Sequence, residues 1–219
     1  MTVSVWSRLY AIVDAGVAAR AGWTPPDLAR AYLDGGARLL QLRAAGVDGA
    51  TQLDWCQKII RLATPLGARL IVNDRCDLVL MAGAVGVHLG QHDLPIVAAR
   101  RLLGPTALIG LSTHGEHDAR QVDAAVRQTA SYLAVGPIYD TRTKDTGYAA
   151  VGLEAVRRIS MVAGTLPVVA IGGITLSTAP DVIAAGATSV AVIADLLADG
   201  DPTRRVRDYL GALGEASPR

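Results

Sequence analysis

Phenylalanine is absent from this 219-residue chain, and aromatic residues of all kinds make up only 4% of it. A core built with so little aromatic bulk must draw on Ala, Val, Leu and Ile, the mix found in buried parallel strands and the helices covering them. Lysine is almost as scarce: of 21 basic residues only Lys58 and Lys144 are lysines. An excess of one charge sign is missing too. The net charge is +1, and no run of like charge exceeds the pairs Arg100-Arg101, Arg157-Arg158 and Arg204-Arg205. That excludes the basic footprint of a nucleic-acid binder. No apolar stretch reaches membrane-spanning length and the N-terminus lacks a secretory pattern, so a cytoplasmic protein without a membrane partner is expected. The only two cysteines, Cys56 and Cys76, have a spacing that fits no metal motif and read as reduced thiols.

What is present is a repeat of short aliphatic runs. Strands are expected at Tyr10–Val13, Leu39–Leu42, Leu70–Asn73, Gly86–Leu89, Leu108–Leu111, Tyr132–Val135, Val168–Ile171 and Ser189–Ile193. Helical spacing fills the gaps at Pro26–Leu33, Thr51–Ala63, Ala119–Gln128, Leu153–Ile159 and Thr178–Ala184. Thr24-Pro25-Pro26 opens one helix, while Gly35-Gly36, Gly67 and Gly186 close others. Eight strand-helix units in strict alternation predict an α/β protein, a closed (β/α)8 TIM barrel forming a single domain over residues 1–219, with a frayed tail after Gly211. The glycine-rich nucleotide turns G-x-G-x-x-G and G-x-x-x-x-G-K-[ST] do not occur, which argues against a doubly wound nucleotide-binding sheet.

The polar residues gather where such a barrel carries its chemistry, at the C-terminal ends of the strands. Gln41-Leu42-Arg43 ends the second strand, Asn73-Asp74-Arg75 the third, His88 to Asp93 the fourth and Ser112-Thr113-His114 the fifth. The sixth runs into Thr141-Arg142-Thr143-Lys144, where hydroxyls and cations suit a phosphate. Gly172-Gly173 and Val192-Ile193-Ala194 follow the seventh and eighth, the usual phosphate-binding place of these barrels. Asp74 and Asp93, beside Asn73 and Gln91, suit a hard cation such as Mg2+; they could equally act as an acid/base pair or cap the following helices. His114-Gly115-Glu116-His117 reads as surface at a helix start rather than as a metal cluster, and Trp6, Trp23 and Trp55 as packing or surface aromatics.

Together, Gln41-Leu42-Arg43, Asn73-Asp74-Arg75, the run Gly86 to Leu94, Gly110 to His114, Gly136-Pro137-Ile138 with Thr141 to Lys144, and Ala170 to Ile174 resemble the thiamine-phosphate synthase family, in its order and spacing, from about residue 8 to residue 197. The resemblance implies a transferase that joins hydroxymethylpyrimidine diphosphate to thiazole phosphate, giving thiamine phosphate and pyrophosphate with Mg2+ as cofactor. It implies that Asp74 and Asp93 hold the metal. It implies that Gln41, Arg43, Asn73, Ser112 and Lys144, within a diphosphate-binding stretch that takes in Leu42, Ala44 and Ala45, contact the pyrimidine diphosphate. Thr141, Thr143, Gly173 and the Ile193-Ala194 backbone would hold the thiazole phosphate, with Arg142 in the same loop. Lys144, Ser112 and Arg43 are the expected catalytic groups.

The chain departs from the family pattern at two places. The family's Q-x-R-E-K becomes Gln41-Leu42-Arg43-Ala44-Ala45, and a serine after the last strand becomes Ala194. The related thiazole tautomerases, and a non-catalytic binder of thiamine precursors, are the rival readings. The partners expected are small molecules, and the sequence leaves the oligomeric state open.

Overall fold

Eight parallel strands close on themselves in sequence order: β1 (Leu9–Asp14), β2 (Leu39–Arg43), β3 (Arg69–Asn73), β4 (Gly86–Leu89), β5 (Leu108–Thr113), β6 (Tyr132–Val135), β7 (Val168–Ile171) and β8 (Ser189–Val192). The computed structural model describes residues 6–113, 129–141 and 149–215. Closure is made by β1 against β8, with Leu9 beside Val190 and Ala11 beside Val192. The expected (β/α)8 barrel is therefore the observed fold.

Side-chain alternation divides the barrel into two cores. One strand face packs against the helices: Leu9, Ala11 and Val13 of β1, Leu40 and Leu42 of β2, Leu70 and Val72 of β3 and Val190 and Val192 of β8 all belong to this outer core. The other face fills the lumen with Tyr10, Ile12, Leu39, Ile71, Tyr132, Ala134, Val169 and Ala191. Bulk in the lumen comes chiefly from Tyr10 and Tyr132, packed edge to face at 6.1 Å between ring centroids. The edge of Trp6 meets Tyr132 at 5.0 Å from the side of the barrel where the strands begin.

Gly110 makes this packing geometrically feasible. A Cβ at that position would run into the Tyr132 ring, so an inward-facing position of β5 is left empty for a tyrosine of its neighbour. The pairing of Gly110 with Tyr132 in register sets the two side by side.

On the outside lie α1 (Ala15–Arg20), α2 (Pro25–Asp34), α3 (Gly49–Ala63), α4 (Cys76–Ala82), α5 (Ile96–Leu103), α6 (Gly152–Ala163), α7 (Ala179–Ala184) and α8 (Pro202–Ala212). The punctuation is as expected at α2, where Thr24 caps the amide of Asp27 at 3.3 Å and Pro25 occupies the first turn. Gly67 and Gly186 take left-handed conformations at the ends of their segments. The helix expected at Ala119–Gln128 lies outside the described residues. Among the described residues no helix is long and apolar enough to cross a membrane. Cys56 is buried, which pushes its thiol up to about 11, and burial also raises Cys76.

The segment just after Gly211 is packed rather than frayed. Leu213 is 2% exposed. Glu215 accepts hydrogen bonds from the Ser7 hydroxyl at 2.7 Å and the Arg8 amide at 2.6 Å, while Arg8 donates to the Leu213 carbonyl at 2.9 Å. These bonds tie the C-terminal helix to the start of β1, on the side of the barrel away from the strand ends.

Gly110→Ala is expected to lower the unfolding free energy by about 1–3 kcal/mol, the usual cost of overpacking a filled core. Urea unfolding measures it, and an unchanged midpoint would contradict the placement of the Tyr132 ring across β5.

Candidate active site

At the C-terminal ends of the strands the lumen opens into a cavity of about 910 Å³. Its apolar floor is Ile12, Ala134, Val169, Ile171 and Ala191, and its rim is polar. Of the residues expected in a site, Gln41, Arg43, Asn73, Asp74, Asp93, Ser112, Thr141, Gly173, Ile193 and Ala194 all line this one cavity. Leu42 and Ala44 do not: both are buried in the outer core, because every second residue of β2 points away from the lumen. Ala45 is exposed and does not line the cavity either. Arg142, Thr143 and Lys144 lie outside the described residues, as do His114 and His117.

Arg43 is held by a carboxylate that sequence reasoning passed over. Asp14, 5% exposed at the end of β1, pairs through Oδ2 with Nη1 of Arg43 and accepts the Val17 amide at 2.9 Å through Oδ1. Arg75, by contrast, turns to Asp77, with Nε to Oδ1 at 2.8 Å and Nη2 to Oδ2 at 2.5 Å, and does not line the cavity.

Asp74 is the single described non-glycine residue with positive φ, at 64°. Aspartate tolerates this conformation better than most residues, at a cost on the order of 1 kcal/mol. The bend is fixed by the Asp74 amide donating to the His88 carbonyl at 2.8 Å and by the Arg75 amide donating to Asn73 at 2.8 Å. Asp93 accepts the Gly90 amide at 2.7 Å through Oδ2. Neither aspartate caps a helix: α4 starts behind Arg75 without a side-chain cap, and α5 starts behind Pro95. Both carboxylates face the cavity with Asn73 and Gln91. Among the described residues no group of three or more His, Cys, Asp or Glu side chains gathers to enclose a metal.

Across the mouth from β3 lies β7. There Gly172 and Gly173 have φ of 100° and 64°, and a Cβ on either would strike the β6 exit loop, at Pro137 or at Tyr139 and Asp140. The two loops are stitched by the Ile138 amide to Ile171 at 2.9 Å and the Tyr139 amide to Gly172 at 3.0 Å. Thr141 is thereby brought to the same rim as Gly173. Beyond β8, Ile193 and Ala194 start a short 3-10 turn, Ala194–Leu197.

Asp195 braces this side. Its Oδ2 accepts the Leu176 amide at 3.1 Å, Nη2 of Arg205 at 2.7 Å and the Tyr209 hydroxyl at 2.6 Å. One carboxylate thus joins the β7 loop, the β8 exit and α8. Burial first, and then the bond to Asp195, hold the Tyr209 hydroxyl well above its usual range, so it stays a donor. Sequence reasoning missed Asp195, although its place three residues beyond β8 was a signal.

A chain of hydrogen bonds runs beneath the cavity. Gln41 Nε2 donates to the Tyr10 hydroxyl at 2.9 Å; the Tyr10 and Tyr132 hydroxyls are 3.2 Å apart. The Tyr132 hydroxyl meets His88 Nδ1 at 2.8 Å, and His88 Nε2 meets Ser112 Oγ at 2.9 Å. Tyr10 and Tyr132 were given no role from the sequence and His88 only a place among the polar strand ends, and all three line the cavity.

A family model described as thiamine monophosphate synthase matches residues 9–196. A thiamine-phosphate synthase of Methanoculleus marisnigri is 43% identical over 210 residues, covering 93% of this chain and 95% of that protein. A bifunctional ThiM/ThiE protein of Symbiobacterium thermophilum is 44% identical over 89% of this chain, which spans 40% of that longer protein. Among solved structures, a thiamine phosphate pyrophosphorylase from Pyrococcus furiosus superposes with a TM-score of 0.82 at 26% identity, covering 94% of this chain and 96% of the other.

Asp195→Ala strips the Leu176 amide and the Tyr209 hydroxyl of their shared acceptor. It should cost about 1–3 kcal/mol of unfolding free energy. Denaturant unfolding measures it; an unchanged midpoint would show that the brace does not hold this rim.

Proposed function

Because the chain belongs to the thiamine monophosphate synthase family, we propose that it transfers the hydroxymethylpyrimidine group from its diphosphate to the nitrogen of thiazole phosphate, releasing pyrophosphate and forming thiamine phosphate. The observation that supports this reading is that one cavity mouth has two chemically unlike sides. Arg43, Asn73, Asp74 and Asp93 stand on the β2 to β4 side, and Gly172, Gly173, Ile193 and Ala194 on the β7 and β8 side. A transferase joining two phosphorylated rings needs both.

On this reading Gln41, Arg43, Asn73, Ser112 and Lys144 hold the pyrimidine diphosphate. Thr141, Thr143, Gly173 and the Ile193-Ala194 backbone hold the thiazole phosphate. The C–O bond to the diphosphate breaks with its electron pair going to the leaving group, and the thiazole nitrogen lone pair then forms the C–N bond. No side chain need enter the covalent chemistry; the protein supplies alignment and fixed charge. Arg43 is fastened by Asp14 before any ligand arrives, so its charge needs little reorganisation during bond breaking. The apolar floor from Ile12 to Ala191 keeps water from the pyrimidine-methyl cation. Asp74 and Asp93 would hold Mg2+, which when bound neutralises the leaving diphosphate.

An isomerase acting on thiazole phosphate alone would have no use for the side carrying Arg43, Asp74 and Asp93. The two readings separate in one assay with purified protein. Pyrophosphate is expected only when both substrates and Mg2+ are present; isomerisation of the thiazole without any pyrophosphate release would overturn the synthase reading.

Two substitutions probe the diphosphate side. Asp93→Ala should lower kcat by at least about 10²-fold, comparable to removing one preorganised electrostatic contact, with the fold intact by circular dichroism. Turnover and Mg2+ dependence both unchanged would remove Asp93 from the role. Ala45→Lys restores a cation beside the exit of β2. A hydrogen bond to a charged group contributes about 1.5–3 kcal/mol, so kcat/KM with the pyrimidine diphosphate varied should rise roughly 10- to 150-fold. Little change is expected with thiazole phosphate varied. Since Arg75 is engaged by Asp77, a null result would mean that the diphosphate lies away from the β2 exit.

A further inference from the structure

The hydrogen bonds beneath the cavity form a column in which each link has one proton to give. Gln41 Nε2 can only donate, so the Tyr10 hydroxyl accepts there and has its own proton for Tyr132. Tyr132 then accepts from Tyr10 and has its proton for His88 Nδ1. A neutral imidazole that accepts at Nδ1 must carry its proton at Nε2, which donates to Ser112 Oγ. Ser112 thus receives a hydrogen bond from below, and its own proton is left to point into the cavity it lines.

We propose that Gln41, Tyr10, Tyr132 and His88 are a one-way hydrogen-bond relay that sets Ser112 as a donor toward the pyrimidine diphosphate, with Tyr10, Tyr132 and His88 as positioning residues. Three further features support it. Tyr10 and Tyr132 are buried to 1% and 0% exposure, where exchange of partners with water is closed to them. Burial raises both phenols well above their usual range, so each keeps the proton that the relay needs. His88 is stacked on Tyr132 at 5.6 Å between centroids and 21° between planes, and Gly110 clears the space that the Tyr132 ring occupies. In the opposite polarity of a neutral ring, Tyr132 would donate to Tyr10, His88 Nδ1 to Tyr132 and the Ser112 hydroxyl to His88 Nε2, leaving only the lone pairs of Ser112 for the cavity. Ser112 would then favour a ligand donor, such as an exocyclic amine, where the relay as observed favours an acceptor, such as a ring nitrogen or a phosphoryl oxygen.

The identity of the ligand rests on the synthase reading above, but the polarity does not. The His88 tautomer reports it directly in the ligand-free protein. Long-range proton–nitrogen correlation spectra of ¹⁵N-labelled protein at neutral pH, with His88 assigned by loss of its signals in His88→Gln, should show a protonated Nε2 and an unprotonated Nδ1. An Nδ1-protonated ring, or an imidazolium, would overturn the relay.

A second arm uses Tyr132→Phe, which deletes the donor to Nδ1. The Nε2-protonated preference should fall, and kcat/KM for the pyrimidine diphosphate should drop about 10-fold, as for a lost buried hydrogen bond. The KM for thiazole phosphate should stay the same. His88→Gln, which keeps an amide donor, should retain more activity than His88→Leu. Equal losses for both substrates, or equal activity of the Gln and Leu variants, would reduce the residues to packing and sink the proposal. Wild-type protein without synthase activity would defeat the functional reading while leaving the tautomer measurement to decide the relay.

Discussion

Every second side chain of a closed eight-stranded barrel faces a lumen barely wide enough to be filled, and here the filling is done by two tyrosines in a chain with no phenylalanine. Tyrosine brings bulk but also a hydroxyl, and a buried hydroxyl without a partner costs on the order of 1–3 kcal/mol. The solution is the column from Gln41 to Ser112, which carries hydrogen-bonding capacity from the barrel centre up to the cavity. Gly110 gives up its side chain for it, and Trp6 packs against Tyr132 beneath it. Packing and site are therefore one structure.

Above that column, fixed charges are held by residues outside the expected set. Asp14 aims Arg43, and Asp195 binds the β7 loop to α8. Each is a carboxylate near the end of a strand with its partners already in place, which lowers the reorganisation needed when an anion arrives. The left-handed Asp74 has the same character: the backbone bends at the end of β3 to bring a carboxylate to the rim.

Much of this was legible from the chain. Aliphatic runs marked all eight strands, since parallel strands buried on both faces leave an almost unbroken apolar signature. Boundaries shifted where polar residues continue the pairing: β5 runs on through Ser112 and Thr113 because they pair with Ala134 and Val135. Ten of the expected site positions, seven of them polar, line the one cavity. The expectation broke down at Leu42 and Ala44, because a contiguous motif ignores the two-residue period that turns alternate side chains outward. Tyr10 and Tyr132 were read only as strand residues, and His88 only as part of the polar rim, for the converse reason: their hydrogen-bond partners lie on other strands, far apart in sequence. Fraying after Gly211 was expected from a terminal position alone, whereas Leu213 and Glu215 pack against the start of β1.

On the proposed function, one cavity mouth takes two anions on opposite sides, a diphosphate by β2 to β4 and a monophosphate by β7 and β8. A crystal structure with Mg2+, pyrophosphate and thiamine phosphate tests it most directly. The account predicts pyrophosphate against Arg43, Asp74 and Asp93, and the phosphate of thiamine phosphate against Gly173 and the Ile193-Ala194 backbone. Both anions on the same side of the mouth, or either bound away from it, would contradict the account.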